Sequence, residues 1–90
     1  MINPQIALKL ERLNFNIAND DGDLFRILME IQKSGYIYHL KADATSYRYL
    51  CKLAKPSFGV IDFLHGSRAG SPEEAAASAL LWIKEAAGCV

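Results

Sequence analysis

The end of the chain, from Gly66 to Val90, carries the strongest structural signal in the sequence. Ser71 can cap a helix through its hydroxyl, Pro72 suits the first helical position, and Glu74 follows at the spacing of a capping box. Alanine-rich sequence comes next, and alanine has the highest helix propensity. The pattern predicts a glycine-rich turn that leads into a helix over about 72–87.

The sides of this predicted helix differ in size and polarity. Its first half holds small residues, which allow a close approach to a sheet, and Leu80, Trp82 and Ile83 fill its second half. Leu81 falls on the other side, among polar residues. We therefore expect Leu81 to be exposed, as an ordinary surface leucine or, in the alternative, as a partner contact.

Composition limits the architecture and the class of partner. A chain of 90 residues makes one domain, 1–90, and a hydrophobic content of 51% is enough for a core. Ten basic and ten acidic side chains cancel, so the chain lacks the overall field typical of nucleic-acid-binding proteins. Without strong charge repulsion, self-association is compatible with this composition. We expect a protein partner or a second copy of the chain, rather than nucleic acid.

The two cysteines, Cys51 and Cys89, form no disulfide framework and no metal-binding spacing. No basic segment followed by an apolar run opens the chain, and no apolar stretch is long enough to span a membrane. We therefore expect a cytoplasmic protein with reduced thiols, no membrane contact, no metal and no cofactor.

The N-terminal segment supports two interpretations. Asn3 and Pro4 are typical of a helix start, and the apolar spacing favours a short helix over 4–13 with an extended piece at 15–17. Strand-like alternation is also present, at Ile6, Leu8 and Leu10 and again at Leu13, Phe15 and Ile17. A fourth short strand from this segment is therefore the alternative.

A turn rich in aspartate precedes a second predicted helix, about 22–33. The turn resembles the start of a calcium-binding loop, but counting from Asp20 puts Ile31 where that loop needs a bidentate glutamate. We expect Asp21 or Asp23 to cap the helix instead.

Three strands are predicted next, at Tyr36–Ala42, Tyr47–Leu53 and Val60–Leu64, with a break at Pro56–Gly59. Short turns between consecutive strands favour an antiparallel meander. The expected fold is α+β, with two N-terminal helices, a three-stranded antiparallel sheet and a C-terminal helix packed on one sheet face. A tight first turn would put Lys41 opposite Arg48, so we expect a pairing register shifted by two residues, with a longer turn or a bulge near 43–46.

Alternation gives this sheet two different faces. One is aromatic and should pack against the helices; any part left uncovered would, with Leu81, form an interface. Its members are Tyr36, Tyr38, Tyr47 and Tyr49. Cys51 should point inward with them. The other face carries Lys41, Arg48 and Lys52 and should be solvated, with nucleic-acid binding as the alternative.

Two weaker features relate to chemistry. His39, Asp62 and His65 could meet on the sheet and bind a ligand or transfer protons, but no further strong metal ligand or nucleophile accompanies them. The glycine-rich turn before the last helix could bind phosphate, but Glu73 and Glu74 would repel an anion. We assign no catalytic, cofactor-binding or metal-binding residue and expect no enzyme.

The order helix, three strands, helix from Asp23 to Ala87 resembles the double-stranded-RNA-binding fold. Tyr47–Leu53 and Gly70–Ala79 fall where that family has its middle strand and final helix. The family opens its final helix with a lysine cluster that binds phosphates, whereas Pro72, Glu73 and Glu74 stand here. The resemblance therefore implies the topology without the RNA-binding residues.

The turn Gly70-Ser71-Pro72-Glu73-Glu74-Ala75, together with Trp82, is also similar to small phage and prophage sandwich domains of unknown function. This resemblance implies a helix, a small antiparallel sheet and a final helix, with no catalytic residues. Our leading expectation is a small cytoplasmic protein-interaction domain from a mobile genetic element, able to act as a homodimer. The alternatives are a nucleic-acid-binding module on the basic sheet face and a ligand binder or enzyme around His39, Asp62 and His65.

Overall fold

A computed structural model describes residues 2–43, 48–57 and 60–87, and the side chains of all of these except 43, 57, 60–64 and 87. The elements in chain order are α1 (Pro4–Arg12), α2 (Asp23–Lys33), β1 (Ile37–Asp43), β2 (Arg48–Ser57), β3 (Val60–Ala69) and α3 (Pro72–Ala87). The predicted α+β fold is confirmed, and so are the bounds of the C-terminal helix.

The sheet is an antiparallel meander in the order β1-β2-β3. Lys41 lies opposite Leu50, and Asp43 lies opposite Arg48. The shifted register expected from the Lys41–Arg48 repulsion is confirmed, because the two cations are not paired. The predicted irregular turn between β1 and β2 lies outside the described residues.

The second and third strands are longer than the sequence indicates. Pro56 belongs to β2 and pairs with Ile61, so the predicted break at this proline is wrong. Pairing between β1 and β2 extends only to Ala54, so at Pro56 the strand has a single neighbour and tolerates a missing N–H on its other side. The predicted glycine-rich turn is wrong as well, because β3 continues through Gly66 to Ala69.

The helices lie on one side of the sheet, and α3 is at their centre. It packs on all three strands, while α1 and α2 pack against it and α2 also contacts β1. Its buried residues therefore surround the helix; they are Ala75, Ala76, Ala77, Ala79, Leu80, Leu81 and Ile83. A helix that is apolar on all sides is typical of such a buried position. The expected exposure of Leu81 is wrong, since it is 8% exposed and belongs to the core.

The N-terminal segment joins the helical layer and not the sheet. Asn3 caps α1 by accepting from the Gln5 N–H at 2.8 Å, as predicted. The segment 15–19 pairs with no strand in the described chain, so the fourth-strand alternative is not realised. Instead, Phe15 and Ile17 pack against the core.

The N-terminal caps of α2 and α3 each differ from the sequence prediction in one contact or residue. Ser71 caps α3 through the Glu74 N–H at 3.2 Å, but the Glu74 carboxylate accepts from the Asn3 N–H at 3.1 Å and so ties the two ends of the fold together. The cap residue of α2 is Gly22, not Asp21 or Asp23. Asp23 is buried, and its carboxylate accepts from the Ala18 N–H at 3.1 Å, which satisfies the buried group.

Candidate nucleic-acid interface

The face of the sheet that points away from the helices carries several cationic side chains. In the described part of the chain no helix packs on it, because α3 occupies the opposite face, where Cys51 and Leu53 are fully buried. Up to the irregularity at Leu53/Ala54, strand alternation and register put the following residues on this open face: His39, Lys41, Asp43, Arg48, Leu50, Lys52, Gly66 and Arg68. Asp43, opposite Arg48, is the one carboxylate among them.

The cations of the open face surround one leucine. Lys41 on β1 and Arg68 on β3 flank Leu50 of β2 in a single cross-strand row. Because neighbouring strands are about 4.8 Å apart, the backbones at Lys41 and Arg68 are separated by about 10 Å. Arg48 and Lys52 lie two residues before and after Leu50, about 13 Å from each other along the strand. We call Lys41, Arg48, Lys52 and Arg68 the cationic quartet.

The accessibility of the quartet suits contact with a large ligand. Lys41, Arg48 and Arg68 are exposed and Lys52 is partly buried. None of the ion pairs found among the described residues uses Lys41, Arg48 or Arg68. Leu50 is only 9% exposed, and its side chain lies beside Gly66, where an added Cβ would come within 3.5 Å of Cδ1. The face therefore presents charged groups around a small apolar floor.

Although the net charge is zero, basic and acidic residues are distributed unevenly between the strands and the helices. The strands carry five of the ten cations, Lys41, Arg48, Lys52, Lys55 and Arg68, but only two of the ten carboxylates, Asp43 and Asp62. The helices and the turn before α2 carry the other five cations and the other eight carboxylates. The molecule is therefore basic on its sheet side and acidic on its helical side, and a net charge of zero does not describe the field at either face.

Arg68 is the member of the quartet that sequence reasoning missed. The glycines on either side of it favoured a turn, whereas the residue belongs to a strand opposite Leu50. Alternation of His65, Ser67 and Ala69 with Gly66 and Arg68 was the available signal, since the first three match the inward residues of β2.

The aromatic face is covered by the helical layer. Tyr36, Tyr38 and Tyr49 are partly buried against the core, and Tyr47 lies outside the described residues. Cys51 is fully buried and its thiol is free. Burial raises the pKa of Cys51 to about 11, so this thiol stays protonated at neutral pH and is a packing group rather than a nucleophile.

The predicted cluster of His39, Asp62 and His65 does not assemble as expected, because the two histidines lie on opposite faces. His39 is on the open face, opposite Lys52. His65 is on the helix face, where its ring stacks on Trp82 with centroids 4.7 Å apart and its Nε2 is 2.8 Å from Ser67 Oγ. The Asp62 side chain lies outside the described ones.

The surroundings of His65 are those of a packed side chain. The ring of Tyr36 also contacts Trp82, with the two ring centroids 6.2 Å apart in an edge-to-face arrangement. Burial lowers the pKa of His65, which favours the neutral ring. Among the side chains that the structure describes, no group of three His, Cys, Asp or Glu residues could hold a metal ion.

The glycine-rich segment also differs from a phosphate-binding loop. Gly66 to Ala69 are part of β3, and only Gly70 and Ser71 separate that strand from α3. Glu73 and Glu74 occupy the first turn of the helix, where they favour the helix dipole but repel an anion. Phosphate contacts therefore fit the open face of the sheet better than this helix end.

None of the helices in the described ranges combines the length and the apolar character needed to cross a bilayer. Comparison with protein families, with curated proteins and with solved structures found no match for this chain.

Proposed function

We propose that this protein is a small nucleic-acid-binding module whose binding surface is the open face of the sheet. The observation that carries the proposal is the cationic quartet, four Lys and Arg side chains that one uncovered sheet face presents together. Lys41, Arg48 and Arg68 are exposed and supply the principal contacts, and Lys52 adds charge at the side of the patch.

The chemistry of these residues suits a phosphate backbone. Arginine binds phosphate oxygens through two parallel N–H donors, and lysine acts as a compact positive charge. The quartet extends over about 10 Å by 13 Å, so several phosphates of one ligand can be neutralised at the same time. Each such contact releases condensed counterions from the nucleic acid, and this release supplies most of the affinity.

The proposed binding mode does not depend on base sequence. Phosphate contacts set affinity and orientation, whereas sequence is read by groups that enter a groove. The quartet is part of a sheet face, and the helices of the described ranges pack on the other side of the sheet or against one another, so none of them lies beside it as a recognition helix. We therefore expect similar affinities for unrelated sequences of the same length.

Fluorescence anisotropy with labelled short DNA and RNA, measured over a salt series, tests the proposal. With three phosphate contacts, the affinity should fall about 40-fold between about 50 and 200 mM salt. Lys41→Ala and Arg68→Ala should each weaken binding and reduce the magnitude of the salt slope by about 1. Lys9→Ala is the matched control, because Lys9 is an exposed cation on α1, in the acidic helical layer.

Two results would contradict the proposal. One is no binding of either DNA or RNA at low salt by a folded wild-type protein. The other is binding that Lys41→Ala and Arg68→Ala leave unchanged while Lys9→Ala weakens it, since the contact would then lie on the helical side.

As a second candidate we propose the protein-interaction role implied by the resemblance to phage and prophage domains, including origin in a mobile genetic element. The observation that favours it is an apolar surface on α2, where Phe25 is 68% exposed and Met29 is 38% exposed. A solvated phenylalanine and methionine on the same side of a helix are typical of contact residues. The two candidate surfaces lie on different elements and can be tested separately.

A further inference from the structure

The outer side of α2 carries the most exposed aromatic ring among the residues with described burial. Phe25 and Met29 are four positions apart on the helix, and both are exposed. Phe15, from the preceding segment, borders the same shallow groove of about 250 Å³, whose rim is formed by Arg26, Glu30 and Lys33. An apolar centre with a charged rim is the usual composition of a protein–protein contact.

This surface is part of a longer stripe with opposite charges at its ends. Phe25, Met29 and Lys33 follow each other at intervals of four residues on α2, and Asp21 lies in the turn, one residue before the Gly22 cap. Residues four apart form one of the ridges through which helices pack against each other. The stripe therefore reads negative, apolar, apolar, positive, and we call these four residues the α2 stripe.

The turn before α2 fixes the acidic end of the stripe. Arg26 Nη2 lies 2.6 Å from Asp20 Oδ1 and 2.5 Å from Asp23 Oδ1. Asp20 also accepts from the Gly22 N–H at 2.8 Å. These contacts hold the backbone on both sides of Asp21 without using the Asp21 carboxylate. In the ion pairs of the described residues, neither Asp21 nor Lys33 takes part, so both are available to a partner.

We propose that α2 is a self-association surface, on which the α2 stripe of one copy packs antiparallel against the α2 stripe of a second copy. A two-fold axis midway between Phe25 and Met29 puts Phe25 of each copy on Met29 of the other. The same axis brings Lys33 of each copy to Asp21 of the other. The stripe is thus complementary to itself in both apolar contact and charge.

The remaining charges of α2 are compatible with this arrangement. In the antiparallel pairing Arg26 comes opposite Leu28 of the second copy and Glu30 comes opposite Leu24, so no like charges are placed opposite each other. Arg26 is already engaged by Asp20 and Asp23, and Lys84 Nζ lies 3.9 Å from Glu30 Oε2. The neutral net charge of the chain adds no long-range repulsion between copies.

The expected association is weak, because the contact is made by few residues of a short helix. Such a surface is smaller than the standard interface of about 800 Å² per partner. We expect a dissociation constant of roughly 10 µM, which lies in the range of transient complexes.

Sedimentation velocity over a concentration series tests the proposal directly. The wild-type protein should change from monomer to dimer as concentration rises, and Phe25→Ser should keep it monomeric, with at least a tenfold weaker association. Phe25 is exposed, so this substitution should leave the fold intact. Leu8→Ser is the matched control, because Leu8 is an exposed apolar residue on α1, 48% accessible, and should not affect the dimer.

A charge exchange tests the antiparallel pairing itself. Asp21→Lys puts a positive charge at both ends of the stripe and Lys33→Glu puts a negative charge at both ends, so each variant alone should dimerise less than wild type. A mixture of the two variants should form a heterodimer, because each positive end then meets a negative end.

The outcomes that would overturn the inference are specific. A wild-type monomer at every concentration, or a dimer that Phe25→Ser leaves intact, would exclude this surface. Failure of the mixed Asp21→Lys and Lys33→Glu proteins to associate would exclude the antiparallel arrangement. None of these results depends on whether the open sheet face binds nucleic acid.

Discussion

The two faces of the sheet are made from alternate residues of the same strands, yet their environments differ completely. On the helix face, Cys51 and Leu53 of β2 are fully buried under α3. On the open face, the same strand presents Arg48 and Lys52 around Leu50. One face therefore contributes to the core, and the other is not covered by any helix of the described ranges.

The segregation of charge shows that this difference is not confined to one strand. β1 contributes Lys41 and β3 contributes Arg68 to the same side as Arg48 and Lys52. The carboxylates are concentrated in the helical layer. For a protein of zero net charge, the distribution of charge over its faces is therefore more informative about its partner than the total.

The largest expected effect comes from truncating one leucine on each face. Leu53→Ala removes a fully buried side chain from the core and should lower the free energy of unfolding by about 3 kcal/mol. Leu50→Ala removes a side chain that is 9% exposed but lies on the face away from α3, so water can fill the space, and the loss should be about 2 kcal/mol. Urea denaturation of both variants measures the difference, and equal losses would mean that the two faces are packed alike.

A smaller effect is expected from the pH dependence of the helix face. Burial holds the pKa of His65 below its ordinary value of 6.5, so the folded protein prefers the neutral ring. The stability contributed by His65 should be complete above about pH 6.5 and should decrease as the pH falls below this value. Because His65 is only partly buried, the loss should be small.

Fluorescence offers a direct readout of this titration. Trp82 is the single tryptophan of the chain, and its ring stacks on that of His65, so protonation should change its emission. His65→Gln should remove the transition. His39→Gln is the matched control, because His39 lies on the open face, away from Trp82. An emission transition that persists in His65→Gln would show that another group causes it.

Local patterns were sufficient for much of the fold. The capping residues Asn3 and Ser71 correctly predicted where α1 and α3 begin. Strand alternation correctly predicted which residues of β1 and β2 lie on each face of the sheet. Because pairing of Lys41 with Arg48 would be repulsive, the shifted register of the first hairpin could be predicted as well. Each of these depends on residues close in sequence or directly across one turn.

The features that were missed depend on distant parts of the chain. Leu81 is buried because α1 and α2 pack on α3 from the side opposite the sheet, which the pattern of α3 alone does not specify. Gly66 and Gly70 favoured a turn, but pairing with β2 keeps the residues from His65 to Ala69 in a strand. The fourth cation of the candidate site, Arg68, became apparent only with that pairing.

The most direct test of the open face as a binding surface is NMR titration of the isotope-labelled protein with a short duplex at low salt. We expect the largest amide shift changes at Lys41, Arg48, Lys52 and Arg68 and at their strand neighbours, with little change along α1. Shift changes confined to the helices, with the backbone of β1 and β3 unaffected, would contradict the assignment of the sheet face as the site of binding.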